Sequence, residues 1–366
     1  MKQQLSILSA VIILLLASCS KDDTAPKQPD ITPANGLYVT SDGTFEGDGS
    51  LSYYDFATQQ VAPDFYGNQN NTATLGNFVN DMIIYGSKMY IVVNGSSTVV
   101  VADKYTAKNI KTIYFTSDGT KNGTEFQPRF ITAQGKNVFV TSSDGYVSAV
   151  DTNTLAITKR IKVGSTPEGI IVSGNNLYVA NSGWKDVPWG STTGFDSTVS
   201  VIDINSLTEI KKIKTGINGL GFAINSDGSI YEATLGNTGY QGSVSGKIYI
   251  IKNNQLQDSI NIATSGKLSI FNNNAYVFNY DYNTSKATVS VINLSTKSIN
   301  NFITDGTIVQ YPYGLNIDES NGDVYVTDAV DNTDPGKVFC FDKTGKKKFD
   351  FSVAPAVFPN KVVFLR

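Results

Sequence analysis

A heptapeptide of alternating small or polar and apolar residues recurs seven times along the chain, and an aromatic residue precedes every copy. The copies repeat about every 48 residues, and such a period with several strands per unit is typical of propeller blades. The heptapeptides occupy residues 49–55, 97–103, 145–151, 197–203, 246–252, 287–293 and 336–342. The aromatic residues, mostly followed by a β-branched one, form the pairs Tyr38-Val39, Tyr90-Ile91, Phe139-Val140, Tyr178-Val179, Tyr231-Glu232, Tyr276-Val277 and Tyr325-Val326.

Each repeat has room for four short strands. In the fourth copy we predict strands at residues 169–173, 176–181, 198–203 and 208–214, because turn-forming residues separate these segments. No stretch beyond Leu16 has a helical period. The sequence therefore predicts an all-β fold, a seven-bladed β-propeller formed by residues 36–366.

The first repeat begins at Gly36 and lacks an innermost strand. The C-terminal segment 358–365 combines a proline with an apolar run, the form that this missing strand should have. We predict that the C-terminal strand completes the first blade and closes the ring, which leaves no long unpaired sheet edge.

The N-terminal 18 residues read as a targeting segment. Lys2 is followed by an apolar run from Ile7 to Leu16 and by small residues before Cys19, and this run is too short to span a membrane. The segment resembles a bacterial lipoprotein signal peptide, which implies lipidation of Cys19. An ordinary secretory signal with a chance cysteine is the alternative. Residues 19–35 would then be a lipid-anchored flexible tether.

The residues that follow Cys19 suggest where the lipoprotein is displayed. Ser20-Lys21-Asp22-Asp23 resembles the export signal that sends lipoproteins of some Gram-negative bacteria to the outer face of the outer membrane. We therefore expect a lipid-anchored protein of the outer membrane, exposed at the cell surface.

The composition excludes several classes of function. The chain has no histidine, so catalytic triads, zinc sites and haem sites that depend on imidazole are ruled out. A net charge of −3 gives no basic field for nucleic acid. Two cysteines make no disulfide framework, and Cys340, in an alternating strand, is predicted to be a buried core residue. We expect no cofactor.

The repeat resembles a known family. Pro167-Glu168-Gly169, then residues 177–181 and 199–203, form a pattern similar to that of YncE-type seven-bladed propellers, over residues 36–366. Together with the lipoprotein signal, the chain resembles the BtuG-type surface lipoproteins. This resemblance implies a protein that captures cobalamin or a related corrinoid and passes it to a TonB-dependent outer-membrane transporter.

The loops between second and third strands provide one set of candidate ligand-binding residues. In a propeller these loops share a face with the segments that enter the inner strands, and here they are long and aromatic in the later repeats. Aromatic rings with adaptable amides are typical of recognition surfaces. In the alternative interpretation, the two tryptophans pack their own loop onto the blades. The candidates are Asn181, Trp184, Trp189, Phe195, Tyr240, Asn279, Tyr280 and Tyr282.

The segments entering the inner strands provide a second set. Four of its seven members are charged, and such charges either bind a ligand or pair with one another. Arg129 and Lys361 have the chemistry to contact a ligand phosphate. The members are Phe78, Arg129, Phe130, Glu168, Lys267, Tyr313 and Lys361.

Three classes of function remain open on the residues alone. The first is a binding protein without catalysis, for a large planar nutrient. The second is a calcium-dependent lactonase or lyase, for which Glu168, Asn218 and Asn360 are the candidate oxygen ligands. The third is a surface protein that binds a glycan or polypeptide. The missing histidine and the aromatic loops favour the first class, and we predict that the protein is not an enzyme.

Overall fold

The computed structural model describes residues 33–188, 191, 193–237, 244–281, 284–331 and 333–366. The predicted signal peptide, Cys19 and the tether up to residue 32 lie outside these ranges. Within them, no helix has the length and apolarity needed to cross a membrane.

The described residues form seven antiparallel sheets of four strands each, which confirms the predicted propeller. Blades 1 to 4 are built in the following way. Blade 1 contains β1 (Gly36–Ser41), β2 (Ser50–Asp55) and β3 (Val61–Ala62). Blade 2 contains β4 (Val79–Tyr85), β5 (Lys88–Val93), β6 (Thr98–Asp103) and β7 (Asn109–Tyr114). Blade 3 contains β8 (Pro128–Gln134), β9 (Asn137–Ser142), β10 (Tyr146–Asp151) and β11 (Ile157–Lys162). Blade 4 contains β12 (Pro167–Ser173), β13 (Asn176–Asn181), β14 (Thr198–Asp203) and β15 (Thr208–Lys214).

The remaining blades repeat this arrangement, and the last strand of the chain returns to blade 1. Blade 5 contains β16 (Gly219–Ile224), β17 (Ile230–Thr234), β18 (Ile248–Lys252) and β19 (Gln255–Ile260). Blade 6 contains β20 (Leu268–Phe271), β21 (Asn274–Asp281), β22 (Lys286–Asn293) and β23 (Ile299–Asn301). Blade 7 contains β24 (Pro312–Asp318), β25 (Asp323–Asp328), β26 (Lys337–Phe341) and β27 (Lys347–Ser352). The fourth strand of blade 1 is β28 (Pro359–Leu365). A short helix, α1 (Phe65–Gln69), and a 3-10 turn, Trp184–Asp186, complete the elements.

The first blade is closed by the end of the chain, as predicted. β28 pairs antiparallel with β1 from Gly36 opposite Leu365 to Ser41 opposite Pro359. It therefore takes the innermost position of the sheet, and it also packs against the inner strands of blades 7 and 2. The ring of inner strands is continuous, and β1 is paired on both of its edges.

The heptapeptides are the third strands, and burial on both faces explains their composition. β5 and β6 are buried along nearly their whole length, since each blade is packed between two others. The outermost strands, such as β15, are mostly exposed and carry the charged residues. The aromatic residues of the second strands lie deep between blades, and Tyr38, Tyr90, Phe139 and Tyr325 have at most 2% of their surface exposed.

The acidic residue that ends most heptapeptides caps the turn to the outer strand. Asp151 Oδ1 accepts hydrogen bonds from the backbone N–H groups of Asn153 and Thr154, both at 2.9 Å, and Asp103 repeats this arrangement. These N–H groups lower the pKa of Asp151. Blade 5 has Lys252 instead, and Asn253 and Asn254 make a two-residue turn with positive φ at both positions.

Cys340 is fully buried in the core shared by blades 7 and 1, as predicted. Burial raises the pKa of its thiol to about 12.

Candidate functional site

The candidate site lies where the chain enters the inner strands. In each antiparallel blade the innermost strand begins, and the second strand ends, at the same end of the sheet. The entering segments and the second-to-third loops therefore share one face around the central channel, which we call the entry face.

A β-bulge at the start of the inner strand shapes this face in six of the seven blades. Bulges redirect side chains and interrupt strand pairing. In blade 6, whose described pairing shows no such register shift, Lys267 directly precedes β20. The inserted residues are Asn80, Arg129 with Phe130, Glu168 with Gly169, Leu220, Tyr313 and Asn360.

Glycines allow the inner strands to approach one another at these bulges. A Cβ on Gly169 would lie 2.3 Å from the Leu220 carbonyl oxygen, and one on Gly314 would lie 2.2 Å from the Asn360 carbonyl oxygen. Any side chain there would collide with the backbone of the next blade.

Three predicted residues form one cluster at blades 3 and 4. Glu168 is fully buried, and it accepts hydrogen bonds from Arg129 Nε at 2.9 and 3.1 Å and from Arg129 Nη2 at 2.8 Å. The indole N–H of Trp184 donates to Glu168 Oε1 at 2.6 Å. The Arg129 guanidinium also lies 6.0 Å from the centre of the Trp184 ring. Glu168 therefore fixes the orientation of both side chains, while the Trp184 ring stays half-exposed.

This buried pair should respond unequally to removal of its two partners. Arg129→Gln leaves the Glu168 carboxylate buried without its cation, so we expect a loss of about 3 kcal/mol in the free energy of unfolding. Glu168→Gln leaves a guanidinium that is 18% exposed and can turn towards water, so we expect about 1 kcal/mol. Urea unfolding of both variants measures the difference. Equal losses would contradict this account of the pair.

A second cluster joins blades 6, 7 and 1. Lys267 Nζ donates to the carbonyl oxygens of Tyr313 at 2.8 Å and Asn360 at 3.4 Å, and lies 5.0 Å from the centre of the Tyr313 ring. The Tyr313 hydroxyl donates to Asp42 Oδ2 at 2.7 Å. Burial lowers the pKa of Lys267, and the nearby carboxylates of Asp42 and Asp81 oppose this shift. Burial raises the pKa of Asp42, and Lys267 lessens that rise.

Asn360 holds the closing strand to its neighbours. Its amide nitrogen donates to Asp42 Oδ1 and to the carbonyl oxygens of Val79 and Asn80, while its amide oxygen accepts from the Thr40 hydroxyl. The amide is therefore engaged on both sides.

The last predicted cation is also paired. Lys361 Nζ forms an ion pair with Asp81 Oδ1, and Asp81 Oδ2 accepts from the backbone N–H of Ile131 at 3.0 Å. Because Arg129 and Lys361 each have a carboxylate partner, a ligand phosphate would have to compete with Glu168 and Asp81 for them.

Aromatic rings lie on the entry face in blades 6, 7, 1 and 2, as a series of four rings and a separate pair. Ring centres are separated by 4.6 Å between Tyr280 and Tyr311, 6.2 Å between Tyr311 and Tyr313, and 5.4 Å between Tyr313 and Phe358. Phe78 and Phe45 form the separate pair, with ring centres 5.0 Å apart. We call these six residues the aromatic arc. Phe45 is 87% exposed, and the other five are half-buried.

The arc contains three residues that sequence reasoning missed: Phe45, Tyr311 and Phe358. Phe45 lies in the loop between β1 and β2, and the other two directly precede inner-strand prolines. For Tyr311 and Phe358, an aromatic residue directly before the proline of an inner strand is the sequence signal that identifies them.

The other predicted residues have different surroundings. Asn181 is fully buried, and its amide bonds to the Gly164 backbone and to Thr198 and Ser200 within the protein. Phe130, Phe195 and Asn279 are half-buried. Three predicted residues lie outside the described ranges: Trp189, Tyr240 and Tyr282.

The candidate calcium ligands are engaged in protein contacts. Glu168 accepts from Arg129 and Trp184, and the Asn218 amide donates to the Gly236 carbonyl oxygen at 3.1 Å. Within the described ranges, no three acidic or cysteine side chains are grouped so as to hold a metal ion. The described geometry offers aromatic surface and hydrogen-bonding groups.

Comparisons with known proteins agree with the fold. A quinonprotein alcohol dehydrogenase-like protein of Bacteroides thetaiotaomicron is similar in structure, with a TM-score of 0.65, 18% identity, and coverage of 92% of this chain and 80% of that chain. Hydrazine synthase of Kuenenia stuttgartiensis is similar with a TM-score of 0.57, 19% identity, and coverage of 72% and 76%. At these identities the likeness shows the fold alone.

The sequence comparisons give the family. No curated protein sequence matches the chain. A family model described as a domain of unknown function (DUF5074) matches residues 35–365, and this span contains all seven blades. The chain therefore belongs to the DUF5074 family.

Proposed function

We propose that the protein is a non-catalytic binding protein that captures a large, flat, amide-bearing molecule on its entry face. The aromatic arc is the observation that carries this proposal. Six rings, four in series and two in a pair, one of them 87% exposed, provide a wide apolar surface at little cost in conformational entropy. A flat ligand can cover several rings at once.

The electrostatics of the face favour stacking and amide hydrogen bonds over charge pairing. The side chains of Arg129 and Lys361 are paired with carboxylates, and Lys267 donates to backbone carbonyls. A ligand without strong charge leaves these pairs intact. A corrin ring with peripheral carboxamides has this character, and cobalamin or a related corrinoid is the ligand that the resemblance to BtuG-type lipoproteins implies.

The same resemblance supports the rest of the proposal. A protein anchored in the outer membrane through a lipid on Cys19, and exposed at the cell surface, would pass the captured corrinoid to a TonB-dependent transporter. The solved structures similar in fold include enzymes. Against catalysis here stand the missing histidine and the engagement of Glu168 by Arg129 and Trp184.

Calorimetry with cyanocobalamin tests the ligand. We expect binding by the full chain, and about tenfold weaker binding by Phe45→Ala and by Tyr280→Ala, since each truncation removes part of the stacking surface. Tyr105→Ala is the matched control, because Tyr105 is 42% exposed but lies in the β6–β7 turn on the opposite face.

Two outcomes would contradict the proposal. Absence of heat at about 100 µM cyanocobalamin would exclude the corrinoid. Equal affinities of Phe45→Ala, Tyr280→Ala and Tyr105→Ala would show that a bound corrinoid does not use the aromatic arc. If a glycan array were positive instead, with binding lost in the arc variants, the face would be a glycan-binding surface.

A further inference from the structure

Blade 6 has an open outer edge near the entry face. β21 and β22 have eight residues each, whereas their outer partner β23 has only three. In the described chain, β23 pairs with β22 at Ser290, Val291 and Ile292. The first four residues of β22, Lys286 to Val289, extend beyond this pairing.

Backbone groups at this edge point outwards. The Phe302 N–H donates to the Val289 carbonyl oxygen at 2.8 Å, so Val289 presents its backbone to the outer side of the sheet. Backbone direction alternates along a strand, and Ala287, two residues earlier, therefore presents its N–H and C=O on that same side. No strand of the described ranges pairs with Ala287 there.

The other short outer strand in the ring shows how such an edge is normally covered. β3 of blade 1 has two residues, but the chain continues into α1, whose Phe65 packs on Tyr38 and Tyr53 with ring centres 6.1 and 5.8 Å apart. A helix over an edge is a common protection against unwanted pairing. In the described chain, blade 6 has no helix in the corresponding place.

Instead, the chain leaves blade 6 and is fixed to blade 7. The Thr304 N–H donates to the Gly345 carbonyl oxygen at 3.0 Å. The Asp305 carboxylate accepts from the backbone N–H groups of Thr307 at 3.0 Å and Lys347 at 2.7 Å. A groove of about 670 Å³ separates this segment from the open edge of β22. Both walls are therefore anchored, and the groove is preformed.

The end of the groove carries backbone strain. Val330 lines it with φ 59°, a conformation that is costly for a β-branched residue. The carboxylate of Asp328, 2% exposed, accepts hydrogen bonds from the backbone N–H groups of Gln310, Tyr311 and Val330 at 2.7 to 2.9 Å. Strain held by a buried network of this kind is concentrated at functional sites.

The side walls of the groove suit alternating side chains. Ile308 is 77% exposed and lines the groove together with Ile303 and Val309. An extended chain lying against β22 would turn every second side chain towards these residues. An unpaired backbone edge beside apolar side chains is complementary to an extended peptide, because a peptide can pair with the edge and contact the side chains at the same time. A flat small molecule cannot use both features.

We propose that this groove binds an extended polypeptide segment of a partner protein, with alternating apolar residues, which adds to blade 6 as a strand on the outer edge of β22. The backbone of Ala287 pairs with the segment, and Ile308 contacts its apolar side chains. This surface is distinct from the aromatic arc, although Tyr280 lies at the border of both.

A peptide-binding experiment tests the proposal. An array of octapeptides in which Val, Ile or Tyr alternates with Thr, Ser or Lys is screened with the full chain, and the tightest binder is labelled with fluorescein. Fluorescence polarisation then compares the variants. Ala287→Pro removes the outward N–H without breaking a bond inside the blade, so we expect at least tenfold weaker binding. Ala287→Ser keeps that N–H and should bind as the natural chain does.

Further measurements make the result independent of the proline variant. The same peptide methylated on alternate backbone nitrogens should lose binding to the natural chain, and Ile308→Asp should bind at least tenfold more weakly. Cyanocobalamin binding should be unchanged in Ala287→Pro, which separates this proposal from the corrinoid one.

Equal peptide affinities of Ala287→Pro and Ala287→Ser would overturn the proposed peptide site, as would no binding by any octapeptide at about 100 µM. Self-association of the natural chain that Ala287→Pro abolishes would assign the edge to a second copy and overturn the proposed partner.

Discussion

A chain that ends at Ala356 should lose more than about 10 °C in Tm, because it lacks the whole of β28. The truncation removes the antiparallel ladder to β1, the buried side chains of Val362 and Leu365, and the Asn360 amide that joins β28 to blade 2. It also exposes the inner edge of β1, which invites association between molecules. Thermal unfolding followed by circular dichroism, with sedimentation to detect oligomers, measures both effects.

Two controls restrict the interpretation of this truncation. Deleting Arg366 alone removes its ion pair with Asp318 and its hydrogen bond to Asn35, and should cost about 1 kcal/mol at most. A synthetic peptide of residues 359–365, added in trans, should restore part of the lost Tm. If the chain ending at Ala356 melts like the full chain, β28 does not stabilise the ring.

Glu232→Gln should stabilise the protein in alkaline solution. Glu232 occupies the position that is Val or Ile in the other six aromatic pairs. It is fully buried, and neither carboxylate oxygen has a hydrogen-bond partner in the described structure. Burial raises the pKa of Glu232 from 4.5 to about 8. The nearby Thr215 hydroxyl opposes this rise, and the Asp196 carboxylate adds to it.

The direction of the pH effect follows from proton linkage. Between pH 4.5 and about 8, the folded protein holds a proton on Glu232 that the unfolded chain has released. The stability that this proton supports is therefore complete below pH 4.5, and it falls as pH rises through the pKa of the folded state, by up to about 1.4 kcal/mol per pH unit. Glutamine has the same shape without the titration. The advantage of Glu232→Gln should therefore grow from pH 5 to pH 8 and then level off.

Urea unfolding of both proteins at a series of pH values from 5 to 9 measures this difference. Glu232→Val, which restores the residue type of the other repeats, should also remove the pH dependence. Parallel stability curves for the natural chain and Glu232→Gln would contradict a buried, unpaired carboxylate at this position.

The architecture could be predicted almost completely from the repeated strand pattern. Its apolar residues indicate strands that are buried on both faces of each blade. The predicted strands of the fourth copy match β13, β14 and β15, and β12 begins two residues earlier than expected, at Pro167. In the sequence, Glu232 already differs from the Val or Ile that follows the aromatic residue in the other second strands. Its environment, however, depends on packing between blades 4 and 5, which the repeat does not reveal.

The entry face was less accessible to sequence reasoning. A bulge adds one residue at the inner-strand entrance of six blades, and in blade 2 this insertion decides whether Asn80 or Asp81 lies at the bulge. Residue types alone do not locate the insertion, so Asn80 and Leu220 were missed. The shortness of β23 was equally hidden, because the residue types at positions 299–304 do not mark the point at which the pairing ends.

Closure of blade 1 also sets an order of events during synthesis. β1 is among the first strands to leave the ribosome, and its inner partner is about 320 residues behind it. For most of translation the nascent chain therefore holds an unsatisfied strand edge, and the slow, high-contact-order step comes last. A cell that makes this protein has to shield that edge until the final residues emerge, or to keep the whole polypeptide unfolded until then.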